Sequence, residues 1–458
     1  MGTKHHSSSD PISDQKKRRR VGFSKADAGV EANECIKIYL ASSKEDVDSP
    51  DSFQIEPVDL NHFFETDGRI YGYQGLKISV WISSVSFHSY ADISFDSSSD
   101  GGKGITDLKS SLQNIFAENL IEKKDDFLKT FSTEYNYVKN IVSSAEVLQN
   151  NASNNCKGNS KSHPKEEHGN VDVYRVGGTA VGPLYCRLVS LVLLLVDGSN
   201  PIDVTDPSWQ IYVLVRKGQQ DSDNTLLGFA AVYRFHRYPD GMRLRLGQVL
   251  IVPPYQRKGY GRTLLKVLNN VAISENAYDL TVEEPVDSLQ HVRTCIDVQR
   301  LLDFEPIHNS LDPLVSLLKH KNLSKNSQPI RCGPSQSTIE SVRESLKINK
   351  RQFLQCWEIL IYLSLNPIEK YMENYMTIVS NRVKADVIGK EPEGSGKRLI
   401  DIPTEFDQEM SFAMFKSEGG DGTMIEKDEN QGNLDEQIKQ LVDIRMKEIK
   451  LVAEKVSS

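Results

Sequence analysis

Apolar positions along this chain switch between strand and helical period, and each switch marks a change of element. Residues 70–82 are dense in Ile, Tyr, Val and Trp, punctuated by Gly72 and Gly75, which predicts strands. Residues 108–116 and 127–142 carry apolar side chains at helical spacing. From Val171 to Pro313 the signal strengthens. The pattern predicts a buried helix over 184–195 and antiparallel strands over 209–216 and 226–237, joined through the turn-rich 218–224. A third strand over 244–252 follows, then a helix over 263–276, a short strand over 278–283 ending at Pro285, and a helix over 291–302. That order describes an α/β layer structure. Beyond Leu323 the period is helical, with a long apolar series over 339–365. A final amphipathic helix is marked by Leu434, Ile438, Leu441, Arg445, Ile449, Val452 and Val456. No repeat of solenoid or propeller period is present.

Four regions follow. Residues 1–30 are a polar arm that reads as disordered, and 31–149 form a small α/β module. After a polar linker, 171–318 form a second α/β domain, and 323–458 a helical module with loops. The 458 residues suit two to four domains at roughly 100–200 residues each. An apolar share of 38% is low for one compact body, but the deficit lies in the arm and the loops.

Charge and cysteine usage narrow the function. A net charge of −8 argues against wrapping nucleic acid unaided, because that affinity rests on cations neutralising phosphates; it suits a basic peptide, or simply solubility. The six cysteines form no CxxC pair, so no zinc or dithiol motif is expected, and no metal. With no apolar leader near the start, the chain reads as an occupant of a reducing compartment. The apolar run over 188–196 is too short for a bilayer, which needs about 20 residues. Lys16, Lys17, Arg18, Arg19 and Arg20 fit a nuclear import signal or a solvated charge run.

The chemistry lies between Gln248 and Arg262. An apolar strand containing Val249, Leu250 and Ile251 runs into Gln256-Arg257-Lys258-Gly259-Tyr260-Gly261, which opens onto a helix. Glycines let backbone N–H groups approach a ligand without a β-carbon between, and such groups at a helix start form an anion site. Arg257, Lys258 and Arg262 add positive charge. The spacing is neither the dinucleotide pattern nor the P-loop pattern. It resembles the acetyl-CoA loop of the Gcn5-related N-acetyltransferase (GNAT) superfamily. That resemblance implies that the loop binds a pyrophosphate and that the backbone of Val249–Ile251 holds the pantetheine arm.

The likeness narrows through Tyr233-Arg234-Phe235-His236-Arg237-Tyr238-Pro239-Asp240 before the loop and Asp279-Leu280-Thr281-Val282-Glu283-Glu284-Pro285 after it. With Tyr71–Ile78, Ile202-Asp203-Val204 and Arg351–Leu360, these resemble the catalytic subunits of type B histone acetyltransferases over about residues 31–370. The resemblance implies an N-terminal α/β module, a central GNAT-type domain with a mixed sheet, and a C-terminal helical module. It implies Glu283 as general base, with Glu284 and Asp197 as neighbouring acids, Ser288 near acetyl-CoA, and Tyr233, Phe235 and Asp67 on the substrate peptide. Grouped carboxylates are expected to raise one another's pKa. Strand alternation should send Glu283 and Glu284 to opposite faces unless the chain turns. The implied substrate is the tail of newly made histone four. The implied partner is a WD-repeat histone-binding protein, with no membrane and no sequence-specific nucleic-acid binding, in nucleus and cytoplasm. An acetyltransferase of small amines or other proteins would carry the same loop; a non-catalytic histone chaperone would not need Gly259, Gly261 and Glu283 intact.

Overall fold

The computed structural model describes residues 28–64, 67–149, 171–218, 224–239, 241–320, 332–366, 368–388 and 431–458. The Lys16 to Arg20 run, the polar linker over 150–170 and Asp240 lie outside the described residues. The chain forms two compact units. One takes the described residues up to Tyr137 together with Leu184–Pro201; the other takes Val138–Pro183 and the chain from Ile202 on.

The first unit is built on a five-stranded mixed sheet. Its order is Phe53–Ile55, Ile36–Ala41, Lys77–Ser83, Ser89–Ser94, Leu120–Ile121. Side chains alternate along these strands, so Ile38, Leu40, Val80 and Ile82 fall in the core. Asp107 caps the helix Leu108–Phe116, accepting from the N–H groups of Lys109 and Ser110. The helical period read over 127–142 is interrupted. Lys124–Thr133 and Tyr137–Ser143 are separate helices, because the chain leaves helical geometry at Glu134. The Glu134 carboxylate is drawn to His88 (3.0 Å) and Arg187 (3.1 Å), a demand that local periodicity does not carry.

The helix Val181–Leu195 begins three residues before the expected start. With the turn before it, 18 residues reach a mean hydropathy of 1.7, so by length and composition this stretch does reach what a bilayer crossing needs, unlike the shorter run read from sequence. Its apolar residues Leu188, Leu191, Val192 and Leu194 are nevertheless buried in the fold. Arg187 donates to the Ser86 carbonyl (2.8 Å), and Val58 N–H donates to the Leu194 carbonyl (2.8 Å). These contacts make it a core helix of the first unit.

The second unit carries a six-stranded sheet in sequence order: β1 (Glu146–Gln149), β2 (Val171–Val176), β3 (Trp209–Arg216), β4 (Thr225–Arg237), β5 (Gly241–Ile251) and β6 (Leu280–Val282). All neighbours are antiparallel except β5 and β6, which run parallel through the crossover helix α1 (Tyr260–Ser274). Leu264, Leu265, Leu268 and Val271 of α1 pack with Leu244 and Leu246 of β5. After β6 come α2 (Asp287–Leu302), α3 (Glu305–His320), α4 (Gln336–Leu346), α5 (Lys350–Ser364), α6 (Glu369–Ile388) and α7 (Gln431–Ser457).

The C-terminal helices share one hydrophobic core with α2 and α3. Cys295, Leu301, Ile307, Leu311, Phe353, Leu360, Tyr375 and Ile449 all belong to it. The apolar series over 339–365 is broken where Lys347 takes a left-handed conformation (φ 58°), Ile348 bridges to Leu280 at the edge of β6, and Asn349 caps α5. On α7 the buried face runs through Ile438, Val442, Met446, Ile449 and Val452. Leu441, expected on that face, points outward at 43% exposure.

Candidate functional site

Strand β5 builds the centre of the candidate site. Its ladder with β6 pairs Leu244 with Leu280, Arg245 with Thr281 and Leu246 with Val282, and closes with Glu283 N–H donating to the Leu246 carbonyl (2.9 Å). There β6 stops, while β5 continues to Ile251. Among the described residues, no strand pairs with that edge of β5 over 247–251. On its other side, β5 pairs with β4 with one residue extra at Gly247, since Ala231 faces Gln248 and Val232 faces Leu246. This bulge re-aims the strand where the ladder with β6 ends.

Gly247 is required at that bulge by close approach. A β-carbon there would stand 3.0 Å from Trp209 Cη2 and 3.6 Å from Glu283 Oε2. The Glu283 carboxylate and the Trp209 indole therefore converge on the bare backbone of Gly247. The chain turns at Glu284 (φ 34°), immediately past β6, so strand alternation does not govern where the second carboxylate faces. Glu283 and Glu284 are both exposed.

An aromatic row extends from Trp209. Its ring meets Tyr233 edge-on at 5.0 Å, and Tyr233 meets Phe235 at 4.5 Å; both lie on one face of β4, two residues apart. Arg245 lies over the Phe235 ring at 4.4 Å. The Tyr233 hydroxyl donates to Asp206 (2.7 Å), which also accepts from Ser208 N–H (2.8 Å). The Ser208 N–H, then the Tyr233 hydroxyl, hold the Asp206 carboxyl below its ordinary range, and Asp206 in turn raises the Tyr233 phenol. Tyr233 and Phe235 are half-buried, so each keeps an accessible face.

The glycine loop follows β5 through a single 3-10 turn at Pro253–Tyr255. The Gln256 amide donates to the Ile251 carbonyl (2.9 Å), folding the loop back on the strand end. Gly259 caps α1 in a left-handed conformation (φ 80°), which a side chain would strain. Helix α1 thus begins inside the loop at Tyr260, three residues before the expected Thr263. The reason is tertiary: the Tyr260 ring is buried in the core under the sheet, which leaves only its backbone to face a ligand. Gly261 differs from Gly259. A β-carbon on it would meet only Ile251 Cγ1, at 3.7 Å, an ordinary contact, so the protein itself leaves room there.

The surroundings of the loop fit an anion. Arg257, Lys258 and Gly259 are exposed at the start of a 15-residue helix, where N–H groups and the helix dipole favour negative charge. Arg216 lies over Tyr255 at 5.3 Å and Lys258 at 5.9 Å. Burial, and then neighbouring Arg262, hold the Lys266 ammonium below the usual lysine range. Arg262 itself donates to Gln299 on α2, so part of its role is structural. Leu250 is buried, while Val249 and Ile251 pack partly against the core, which leaves the backbone of these residues as their ligand-facing part.

Ser288 sits exposed in the first turn of α2. Asp197 and Asp67 belong to the first unit. Asp197 is exposed just beyond the helix Val181–Leu195, and Asp67 accepts from the Tyr71 hydroxyl and pairs with Lys103 (3.5 Å). Gly247, Trp209, Asp206 and Arg245 are absent from the set of site residues read from sequence. A glycine inside the apolar strand was the available signal for the first, since it marks a bulge or a close approach. Among the described residues, no group of three or more His, Cys, Asp and Glu side chains is arranged to hold a metal.

Comparison with known proteins gives the family of the chain. Residues 28–197 match the family described as histone acetyl transferase HAT1 N-terminus, and residues 203–292 match the acetyltransferase (GNAT) family. A histone acetyltransferase type B catalytic subunit of Arabidopsis thaliana is 54% identical over 461 residues, covering 100% of this chain and 98% of that protein. The Zea mays protein of the same description is 47% identical, covering 97% of this chain and 94% of its own length. One from Dictyostelium discoideum is 25% identical, covering 77% and 71%. With both family regions matched in order and over half the residues shared along the whole length of one member, the chain belongs to the histone acetyltransferase type B catalytic subunits, enzymes of the GNAT fold that use acetyl-CoA and act on histones.

Proposed function

We propose that this enzyme acetylates lysines in the tail of free, newly made histone four before it enters chromatin, with Glu283 as the general base. One observation carries the assignment of the base. Glu283 places its carboxylate 3.6 Å from the β-carbon position of Gly247, where the ladder between β5 and β6 ends. A lysine with an ordinary pKa of about 10.4 is almost wholly ammonium at neutral pH, so transfer requires a group that takes its proton. The freed amine nitrogen bonds to the thioester carbonyl carbon, the carbon–sulfur bond breaks, and coenzyme A leaves through sulfur as a thiolate that takes up the second proton released by the nitrogen. The backbone of Val249, Leu250 and Ile251 holds the pantetheine arm. Gln256, Arg257, Lys258, Gly259, Tyr260 and Gly261 hold the pyrophosphate, with Ser288 nearby. Tyr233 and Phe235 offer flat faces to the substrate peptide, and Asp67 offers it charge. Glu284 and Asp197 act as further acids that draw the lysine ammonium.

The net charge of −8 supports a basic partner drawn by long-range attraction. A WD-repeat histone-binding protein is the proposed companion, and nucleus and cytoplasm the proposed locations, the Lys16 to Arg20 run serving import. The test is transfer of labelled acetyl groups to each core histone and to small amines, with product sites mapped. Labelling concentrated on the histone four tail is expected. Equal labelling of the other histones or of small amines overturns the substrate assignment, and affinity capture without a WD-repeat protein overturns the partner.

A further inference from the structure

The loop after the short strand Ser97–Ser98 returns a lysine to the acid that a substrate peptide is proposed to use. Its ends are pinned: Ser99 N–H donates to the Gly72 carbonyl (3.0 Å), and Thr106 N–H to the Tyr71 carbonyl (3.1 Å). Tyr71 N–H donates back to the Thr106 hydroxyl (2.9 Å). Between the pins, Asp100 accepts from the N–H groups of Gly102 (2.7 Å) and Gly104 (2.9 Å). Those glycines take φ of 100° and 86°, a region that L side chains rarely adopt, and nothing stands within 4 Å of either β-carbon position. The loop is therefore held by its own side-chain cradle and by its pinned ends. Its product is the seat of Lys103, the residue between the two glycines. The Lys103 ammonium donates to the Tyr71 hydroxyl (2.7 Å), lies 4.3 Å from the centre of that ring and pairs with Asp67 at 3.5 Å. Tyr71 also donates to Asp67, so one tyrosine joins the lysine to the acid.

We propose that Lys103 is an internal competitor for Asp67: the glycine-flanked lysine occupies the acid that would receive a lysine-rich substrate peptide, and so sets the affinity for that peptide. This rests on the reading of Asp67 as a peptide contact. The chemistry matches on both sides, since Lys103 brings to Asp67 the same ammonium that a substrate lysine would bring. The pair is also exposed, with side-chain accessibilities of 54% for Lys103 and 46% for Asp67. An exposed pair is weak enough to be displaced by a second cation. Tyr71 and Asp67 hold the Lys103 ammonium above the usual lysine range, so the competitor is charged wherever the substrate is.

Steady-state kinetics of the full chain on a histone four tail peptide decide the matter. Lys103→Ala should lower KM for the peptide by about two- to fivefold, the scale of one exposed ion pair, and leave KM for acetyl-CoA in place. Asp100→Ala, which unbuilds the loop without touching Asp67, should move peptide KM the same way, while Lys103→Arg should behave as the parent. Adding Asp67→Asn to Lys103→Ala should raise peptide KM again. An unchanged or raised KM in Lys103→Ala, with the double variant higher still, overturns the competitor and leaves Asp67 as a contact. If Asp67→Asn has no effect in the Lys103→Ala background, Asp67 is no peptide contact and the competitor falls with it.

Discussion

At the scale of single residues, the site depends on what is missing as much as on what is present. Gly247 has no β-carbon, and Trp209 and Glu283 occupy the space beside it. Gly247→Ala puts a methyl group 3.0 Å from the indole, so the ring must shift, and with it the seat beside the Glu283 carboxylate. Turnover should fall roughly tenfold or more, as small misplacements of reacting groups do, while circular dichroism stays that of the parent. A parent-like turnover would show that this convergence is not used. Glu283→Gln keeps the shape and removes the proposed base. It should lower kcat by about a hundredfold or more with acetyl-CoA binding retained, and Glu284→Gln and Asp197→Asn should cost less. If Glu284→Gln is the damaging change instead, the base is Glu284.

At the scale of elements, the two glycines of the acetyl-CoA loop separate by physical cause. Gly259 is demanded by the fold, because its backbone is left-handed at the cap of α1. Gly261 is not, because the protein has room for a β-carbon there. Gly259→Ala should therefore destabilise by about 1–2 kcal/mol, seen as a lower thermal midpoint, besides weakening acetyl-CoA binding. Gly261→Ala should leave the thermal midpoint near the parent value and raise KM for acetyl-CoA. A Gly261→Ala enzyme with parent affinity would place the pyrophosphate away from this turn. The elements around the loop were legible from period alone. The strands over 209–216 and 225–237 and the helix after the loop need only local apolar spacing. The starts of the two helices were not legible, because α1 starts where Tyr260 reaches the core and α2 starts four residues before the expected His291.

At the scale of the whole molecule, the C-terminal helices contribute to the body that carries the site. Glu358 on α5 is nearly buried and accepts from Arg382 on α6 (2.7 Å) and Arg445 on α7 (2.9 Å). Arg445 also donates to the Gln355 carbonyl (2.9 Å), so one side chain ties α7 to α5 twice. Arg445→Ala leaves Glu358 with one cation instead of two. It should cost about 1.5–3 kcal/mol, the scale of a hydrogen bond to a charged group, measured by chemical denaturation. A loss below about 0.5 kcal/mol, the scale of ordinary surface changes, would show that α7 is held by its apolar face alone. That face is Ile438, Val442, Met446, Ile449 and Val452; the helical period announced Ile438, Ile449 and Val452, while Leu441 points outward and Val442 and Met446 are buried instead.

The sequence by itself determined the order of elements in the central domain, the glycine loop at a strand-to-helix junction and the carboxylates at the end of the last strand. Each of these is written in neighbouring residues: alternation makes a strand, a glycine pair before an apolar helix makes a turn, and the motif carries its family. Tertiary structure alone decided which residues meet. Trp209, Gly247 and Glu283 lie on three different strands or strand ends, and their convergence follows from a bulge between β4 and β5 and from the register of β5 against β6. The break at Lys347 follows from Ile348 reaching Leu280, 68 positions away in the numbering, and the break at Glu134 from His88 and Arg187. Long-range pairing of this kind leaves no period along the chain, because the partners are chosen by packing and hydrogen bonding between segments that sequence separates.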